Sequence, residues 1–349
     1  MNLSKSSRNG KESGNVIRSE ELSNQAALVV GGVAHHAGCG RSSPLVQRGA
    51  GHGGAGGRMT NLRAAVGQRV LCPATDCVDI CNAPLDGHVK MPRLGFGTYM
   101  ISARDAEAAV LTALREGYRH IDTAQLHRNE AAVGRAVRAS GLARESVFVT
   151  TKLWNADNGY DATLQAFHRS LSELGLDYVD LYVLHSPMRV DARLDSWRAM
   201  EDLLRGGRVR AIGVSNFGQH QLEELFEHCT VRPAVNQLEL HPFGTRRALV
   251  DFCVQHGMAL QAYSPLTKGT RLRDPTLVEM AARYQKSTAQ LMVRWCLQKG
   301  FTVLPRSVNP AHIAANTQVY DFNISDIDMA KLDSLNEDYV TGWDPTRGP

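Results

Sequence analysis

Aromatic residues are missing from the start of this 349-residue chain: no Phe, Trp or Tyr precedes Phe96. Acids are scarce there too, with three Asp/Glu against nine Lys/Arg in residues 1–75, while 13 of the 31 glycines fall in the same stretch. Gly-rich sequence without aromatics buries too little surface to offset its ordering entropy, so residues 1–75 read as a disordered basic tail. The formal charge of +4 belongs to that tail, and the remaining residues sum to −2. The body therefore carries no basic signature for nucleic acid. Long apolar runs are also lacking. The longest, residues 26–34, falls far short of the roughly 20 residues that span a bilayer, which excludes a helical membrane protein. Cysteines number only seven and are unevenly spaced, so they form no disulfide framework and point to a reducing compartment.

The tail holds weak signals that the physics does not support. Glu20 and Glu21 stand directly before its only apolar stretch, against a secretory leader. From Met59 an acid-free segment with Arg63, Arg69 and spaced Leu62, Val66 and Val70 faintly resembles an organelle-targeting helix. A dispensable extension on a cytoplasmic protein, or a start codon assigned too early, is the preferred reading. Gly49, Gly51 and Gly54 match G-x-G-x-x-G, but no strand precedes them and no acid follows at the required distance, so this is glycine composition. Cys72, Cys77, Cys81 and His88 lack the paired spacing of structural zinc, and no metal is expected.

What the body does contain is a repeat. Cys77–Cys81 and His88–Met91 flank Asp86-Gly87, a hairpin signal. Eight short β-branched or apolar runs then alternate with amphipathic helices: 93–97, 120–123, 147–151, 178–184, 211–214, 234–237, 259–262 and 302–304. In 106–115, for example, Ala109, Val110, Ala113 and Leu114 share one helical face. Eight βα units predict an α/β fold, a (β/α)8 TIM barrel over residues 76–349, with an open doubly wound sheet as the alternative. Polar residues close many of the strands: Asp122, Lys152, His185, Ser215-Asn216, Gln237, Tyr263-Ser264 and Arg306-Ser307. In a barrel these ends converge on one mouth, which favours the barrel.

These residues resemble the aldo-keto reductase family. The likeness rests on Gly117-Tyr-Arg-His-Ile-Asp-Thr-Ala124, Thr151-Lys-Leu-Trp154, Asp180-Leu-Tyr-Val-Leu-His185 and Gly213-Val-Ser-Asn-Phe217. It continues through Asn236-Gln237, His241-Pro242, Tyr263-Ser-Pro-Leu266 and Leu304-Pro-Arg-Ser307. It implies NADPH-linked carbonyl reduction by direct hydride transfer. Of the family's catalytic Asp, Tyr, Lys and His, the resemblance assigns Asp122, Lys152 and His185; where the tyrosine belongs stands His127. It further implies cofactor contacts from Gly97, Thr98, Asp122, Ser215, Asn216, Gln237, Tyr263, Ser264 and Leu266, and from Arg306, Ser307, Val308, Asn309, His312 and Asn316. Tyr99, Trp154 and Ser186 would line the substrate pocket, Ser186 replacing a tryptophan common in relatives and leaving the pocket wider.

Asp122 inside an apolar run is a buried carboxylate that needs a partner, and Lys152 is the candidate. Lys152 and His185, each taken alone, are better explained as a surface lysine and a core histidine. Without the resemblance, Ser215-Asn216 reads first as a helix cap. Arg306 offers a bidentate fork for a 2′-phosphate, with Ser307 and Asn309 beside it; the family often has arginine at position 312 and glutamate at 315. An imidazole at 127, ordinarily titrating near pH 6.5 and lowered by Lys152, is neutral at pH 7 and shorter than a phenol. The chain ends soon after Trp343, without the long loop that shapes steroid sites, so a small aldehyde, dicarbonyl or quinone is the expected substrate of a monomeric enzyme. The alternative is a catalytically weakened NADP(H)-binding protein that senses redox state or binds a partner.

Overall fold

The computed structural model describes residues 76–349 except Pro84 and Asp86. The tail, the Gly49–Gly54 pattern, Cys72 and Asp86 of the hairpin turn lie outside the described residues. Strands β1 (Cys77–Cys81) and β2 (His88–Pro92) pair antiparallel, with Cys81 opposite His88. Eight parallel strands follow: β3 (Phe96–Gly97), β4 (His120–Asp122), β5 (Phe148–Leu153), β6 (Val179–Leu184), β7 (Val209–Ser215), β8 (Val235–Glu239), β9 (Ala259–Tyr263) and β10 (Thr302–Val303). Each neighbours the next in sequence order.

The sheet closes on itself. Leu94 bridges Val303 in parallel, Gly95 N donates to Val303 O at 2.9 Å, and Gly97 N donates to Pro305 O at 3.1 Å. That seam makes the sheet a barrel, not an open doubly wound sheet. A Cβ on Gly97 would stand 3.1 Å from Leu304 O, so the seam is tight at this position.

Strand alternation sorts the core into two layers. On β6, Leu181 and Val183 join Ile80, Val89 and Met91 of the hairpin, Phe148, Ala211 and Val235. The hairpin thus plugs the end of the barrel where the strands begin. Tyr182 and Leu184 face outward into the larger cluster, which includes Phe167, Trp197 and Trp295. The helices cover that outer layer with their apolar stripes. The helix Tyr160–Leu174 buries Thr163, Ala166, Phe167, Ser170, Leu171 and Leu174, and ends on Gly175 at φ +59°, the left-handed cap that glycine adopts without penalty. The helix Glu130–Ala139 lies so close to it that a Cβ on Gly134 would fall 1.8 Å from Leu174 O. With the far end plugged and the flanks covered, the open face lies where the strands end.

Candidate active site

Asp122 ends β4 and Lys152 sits one residue before the end of β5; their side chains are 5% and 2% exposed. Lys152 Nζ donates to Asp122 Oδ1 at 2.5 Å and to Thr123 O at 3.0 Å. Gln237 on β8 donates through Nε2 to Asp122 Oδ2 at 2.9 Å, and to Gln261 Oε1 at 2.7 Å. Gln261 Nε2 in turn reaches Met91 Sδ at 3.0 Å. Both carboxylate oxygens are thereby satisfied, as a buried anion requires. The lysine is no surface residue: burial inside the barrel leaves its ammonium one charged partner and one carbonyl.

His185 follows β6 and is flanked by the Trp154 ring, with centroids 5.2 Å apart. Its Nδ1 is buried and unpartnered among the described residues. Burial, and then the Lys152 charge, lowers its pKa from 6.5 to about 3, so it is neutral at working pH. An imidazole with its single proton on Nε2 leaves only a lone pair unsatisfied at Nδ1, the cheaper of the two outcomes. Such a ring offers a donor to a carbonyl oxygen.

His127 closes a short 3-10 turn, Gln125–His127, after β4. Its ring lies 6.3 Å from that of His185 and 5.3 Å from that of Tyr99, centroid to centroid. Burial, then Lys152, then His185 hold its pKa well below 6.5. The Thr98 hydroxyl, at the start of the loop after β3, is 3.1 Å from His127 Nδ1.

The rest of the mouth is built from groups that largely satisfy one another. Ser215 Oγ donates to Gln237 O at 2.9 Å, and Asn216 Nδ2 donates to His185 O and to Ser215 Oγ, each at 3.1 Å. Tyr263 Oη donates to Asn216 Oδ1 at 2.8 Å, and burial pushes that phenol well up. Asn216 and Ser264 hold left-handed backbone at φ +64° and +47°, and Thr267 does so at +50°. A β-branched residue there is a strained outlier, and such strain gathers at functional loops. Leu266 is half-buried between them. Ser186 is wholly buried, with its hydroxyl donated to Asn155 Oδ1 at 2.8 Å. Tyr99 is 46% exposed at the rim.

After β10, Arg306, Val308, Asn309 and His312 are exposed and Asn316 is buried. Ser307 Oγ accepts from Asn309 N, and Asn309 Oδ1 accepts from Ala311 N. Among the described residues the Arg306 guanidinium, the Ser307 hydroxyl proton and the Asn309 amide meet no acceptor. This cationic donor set fits a phosphate. Gln237 Oε1 likewise takes no donor among the described residues, and with the Tyr263 face it fits a carboxamide-bearing ring. The sites expected from the sequence therefore share one mouth with a phosphate-compatible rim.

Two contributors carry little or no sequence signal of their own. Asn129, 1% exposed, donates to Thr98 O and Ile101 O at 3.0 Å each and accepts from Thr123 Oγ1 at 2.8 Å. It ties the loop after β3 to the end of β4. Gln261 anchors Gln237 from β9. A polar residue in an otherwise apolar strand was the only available hint of Gln261, and Asn129 had none. A surface groove of roughly 310 Å³, lined by Gln219, Arg246 and Arg347 among others, includes none of Asp122, His127, Lys152 and His185. There Arg246 is already spent on Asp344 and Thr346. Among the described residues no His, Cys, Asp and Glu side chains gather as metal ligands.

A sequence profile described as the Aldo/keto reductase family matches residues 93–337. The chain is 45% identical over 274 residues to a 9,11-endoperoxide prostaglandin H2 reductase of Trypanosoma cruzi, covering 77% of this chain and 95% of that relative. It is 44% identical over 262 residues to a glyoxal reductase of Bacillus subtilis, covering 75% and 95%. A crystal structure of a Bombyx mori aldo-keto reductase in complex with NADP superposes with a TM-score of 0.69 at 34% identity, covering 76% of this chain and 95% of that one.

Proposed function

The chain belongs to the aldo/keto reductase family, and from that premise we propose that it is an NADPH-dependent reductase of small reactive carbonyls: aldehydes, dicarbonyls or quinones. Oxidoreduction of a carbonyl is the chemistry of the family; the choice of NADPH and the substrate class are the proposal. The observation that carries it is the buried Lys152–Asp122 pair, held by Gln237, beside two neutral histidines at the barrel mouth.

A nicotinamide bound at this mouth supplies a hydride when reduced. The chain's own task is to bind the carbonyl, hold the negative charge that grows on its oxygen, and deliver a proton. His185 Nε2–H is suited to orient that oxygen. The Lys152 ammonium, kept in place by Asp122, lends its field to the same spot at low dielectric, where it is worth most. Asp122 is a positioning residue here, because both its oxygens are spent on Lys152 and Gln237. Gln237 Oε1, Ser215 and Asn216 would hold the carboxamide, Tyr263 the ring face, and Arg306, Ser307 and Asn309 the 2′-phosphate, with Gly97, Thr98, Ser264, Leu266, Val308, His312 and Asn316 alongside. Tyr99 and Trp154 would border the substrate, whereas Ser186, expected beside them, is wholly buried with its hydroxyl held by Asn155 and presents no surface to it. The name of the Bacillus relative, a glyoxal reductase, supports the dicarbonyl class. Oxidation of NADPH with a panel of glyoxals, aldehydes and quinones tests the reading; absence of turnover with every member, in protein that binds the cofactor, overturns it.

A further inference from the structure

We propose that Thr98 sets the tautomer of His127, leaving a bare Nε2 as the ring's working atom, so that His127 is the proton acceptor when this site oxidises an alcohol. The chemical part rests on the oxidoreductase reading above; the tautomer does not.

The number of protons available around Thr98 decides the tautomer. A threonine hydroxyl has one proton to give and two lone pairs to receive with. Three atoms lie within reach of Thr98 Oγ1: Asp122 O at 3.0 Å, His127 Nδ1 at 3.1 Å and Asn129 Oδ1 at 3.4 Å. The carbonyl and the amide oxygen can only accept. The amide orientation of Asn129 is itself determined, because its Nδ2 donates to two backbone carbonyls and its oxygen receives the Thr123 hydroxyl. With the proton of His127 on Nδ1, two bonds form together: the imidazole N–H to Thr98 Oγ1, and the Thr98 O–H to Asp122 O. With the proton on Nε2, the single Thr98 proton serves either Asp122 O or Nδ1, and one bond is lost. One hydrogen bond of difference corresponds to a tautomer ratio of roughly tenfold.

The surroundings keep this ring neutral. Tyr99 packs on it from the loop after β3. Lys152 from β5 and His185 beyond β6 disfavour a charge on it. Asp122 of β4, the acid of the mouth, is committed to Lys152 and Gln237. The resting state is a neutral imidazole with Nε2 unprotonated.

An alcohol at the mouth then loses its carbinol hydride to an oxidised nicotinamide and its hydroxyl proton to His127 Nε2. The C–H and O–H bonds break, the C=O bond and the Nε2–H bond form, and the imidazolium passes its proton to water. Reduction runs the same path backward and needs Nε2 protonated. Because a proton is a reactant in reduction, the ratio of kcat/KM for oxidation to that for reduction rises tenfold per pH unit whatever the mechanism. The side that carries the slope reports the acid or base. A bare Nε2 makes oxidation flat between pH 7 and 9 and makes reduction fall tenfold per unit. A donor that stays protonated over this range gives flat reduction and rising oxidation.

The test has two readouts. In cofactor-free, 15N-labelled protein, with His127 assigned by comparison with His127→Gln, the ring should show a protonated Nδ1 and an unprotonated Nε2. Thr98→Val should exchange the two, and Thr98→Ser should keep the wild-type pattern. In kinetics with a secondary alcohol, Thr98→Val should lower kcat/KM for oxidation at least tenfold, and Thr98→Ser, which keeps the hydroxyl, should recover most of that loss. A protonated Nε2 in the wild type, or a tautomer indifferent to Thr98→Val, overturns the assignment of the tautomer. Flat reduction with rising oxidation overturns the acceptor role. Inactivity in both directions with the stated tautomer leaves Thr98 in its role and counts against the oxidoreductase reading, and with it the acceptor role.

Discussion

Gln237 reaches across the barrel to Asp122: its Nε2 lies 2.9 Å from Oδ2, although the two residues are 115 positions apart in sequence. Strands β8 and β4 stand on opposite walls, so the contact exists only because the sheet closes. Replacing Gln237 by Leu removes the donor from a buried carboxylate oxygen and from Gln261 Oε1. We expect a loss of about 1–3 kcal/mol in folding stability, read from urea denaturation at pH 7. A variant as stable as the wild type would show that the contact carries no weight.

His127→Tyr replaces a neutral imidazole by a phenol that stays protonated to about pH 10. Turnover on simple aldehydes should rise at least tenfold, about 1.4 kcal/mol of transition-state stabilisation, and unactivated ketones should gain more than electron-poor carbonyls. An unchanged or lower rate in a folded variant that binds NADPH would defeat this expectation.

The histidines at the mouth make the fold sensitive to acid. His185 titrates near pH 3 in the folded protein against 6.5 ordinarily, and His127 is lowered in the same sense. Between those limits the unfolded chain binds more protons than the folded one, so stability present above pH 6.5 is lost as the pH falls. From pH 7 to pH 5 His185 alone accounts for about 2 kcal/mol. His185→Gln should therefore lose that much less than the wild type over this range in chemical denaturation. Parallel losses would exclude His185 as a source of the acid sensitivity.

Cofactor preference should rest on Arg306. Arg306→Ala should weaken NADPH binding about ten- to a hundredfold, the worth of one charge-assisted fork of roughly 1.5–3 kcal/mol, and leave NADH binding within about twofold. Titration of tryptophan fluorescence with both cofactors measures it. Equal losses for the two would mean that Arg306 does not meet the 2′-phosphate.

Catalysis should need only residues 76–349, since every residue assigned to the mouth lies there and the family profile covers 93–337. A protein beginning at residue 76 should retain kcat within about twofold. A drop of tenfold or more in a folded protein would make residues 1–75 part of the working enzyme.

Much of this site is legible in the sequence. Strand ends are local features, so the polar residues that close Ile121-Asp122, Thr151-Lys152 and Leu184-His185 could be read in order, and the barrel put them together. Strand limits are less legible. Residues 93–97 look like one strand, yet only Phe96–Gly97 has a ladder with β4, while Arg93 to Gly95 bond to Val303 at the seam. Val209–Ser215 is longer than the apolar run 211–214, because Val209 pairs with Val179 of β6 and Ser215 with Gln237 of β8. Hydrogen-bond partners on neighbouring strands decide where a strand stops, and they are not encoded nearby.

The sequence by itself determined the alternation of eight strands and helices, the residue types at each strand end, and the imidazole at position 127. Local patterning and residue chemistry are sufficient for those. The tertiary structure alone decided that Asp122 spends both oxygens inside the protein, that Asn129 ties two loops together, and that Thr98 stands against Nδ1 of His127. Each of these depends on atoms brought within hydrogen-bond range from 28 to 115 residues away; pairing of neighbouring strands does this for Thr98, Asn129 and Lys152, and closure of the sheet does it for Gln237.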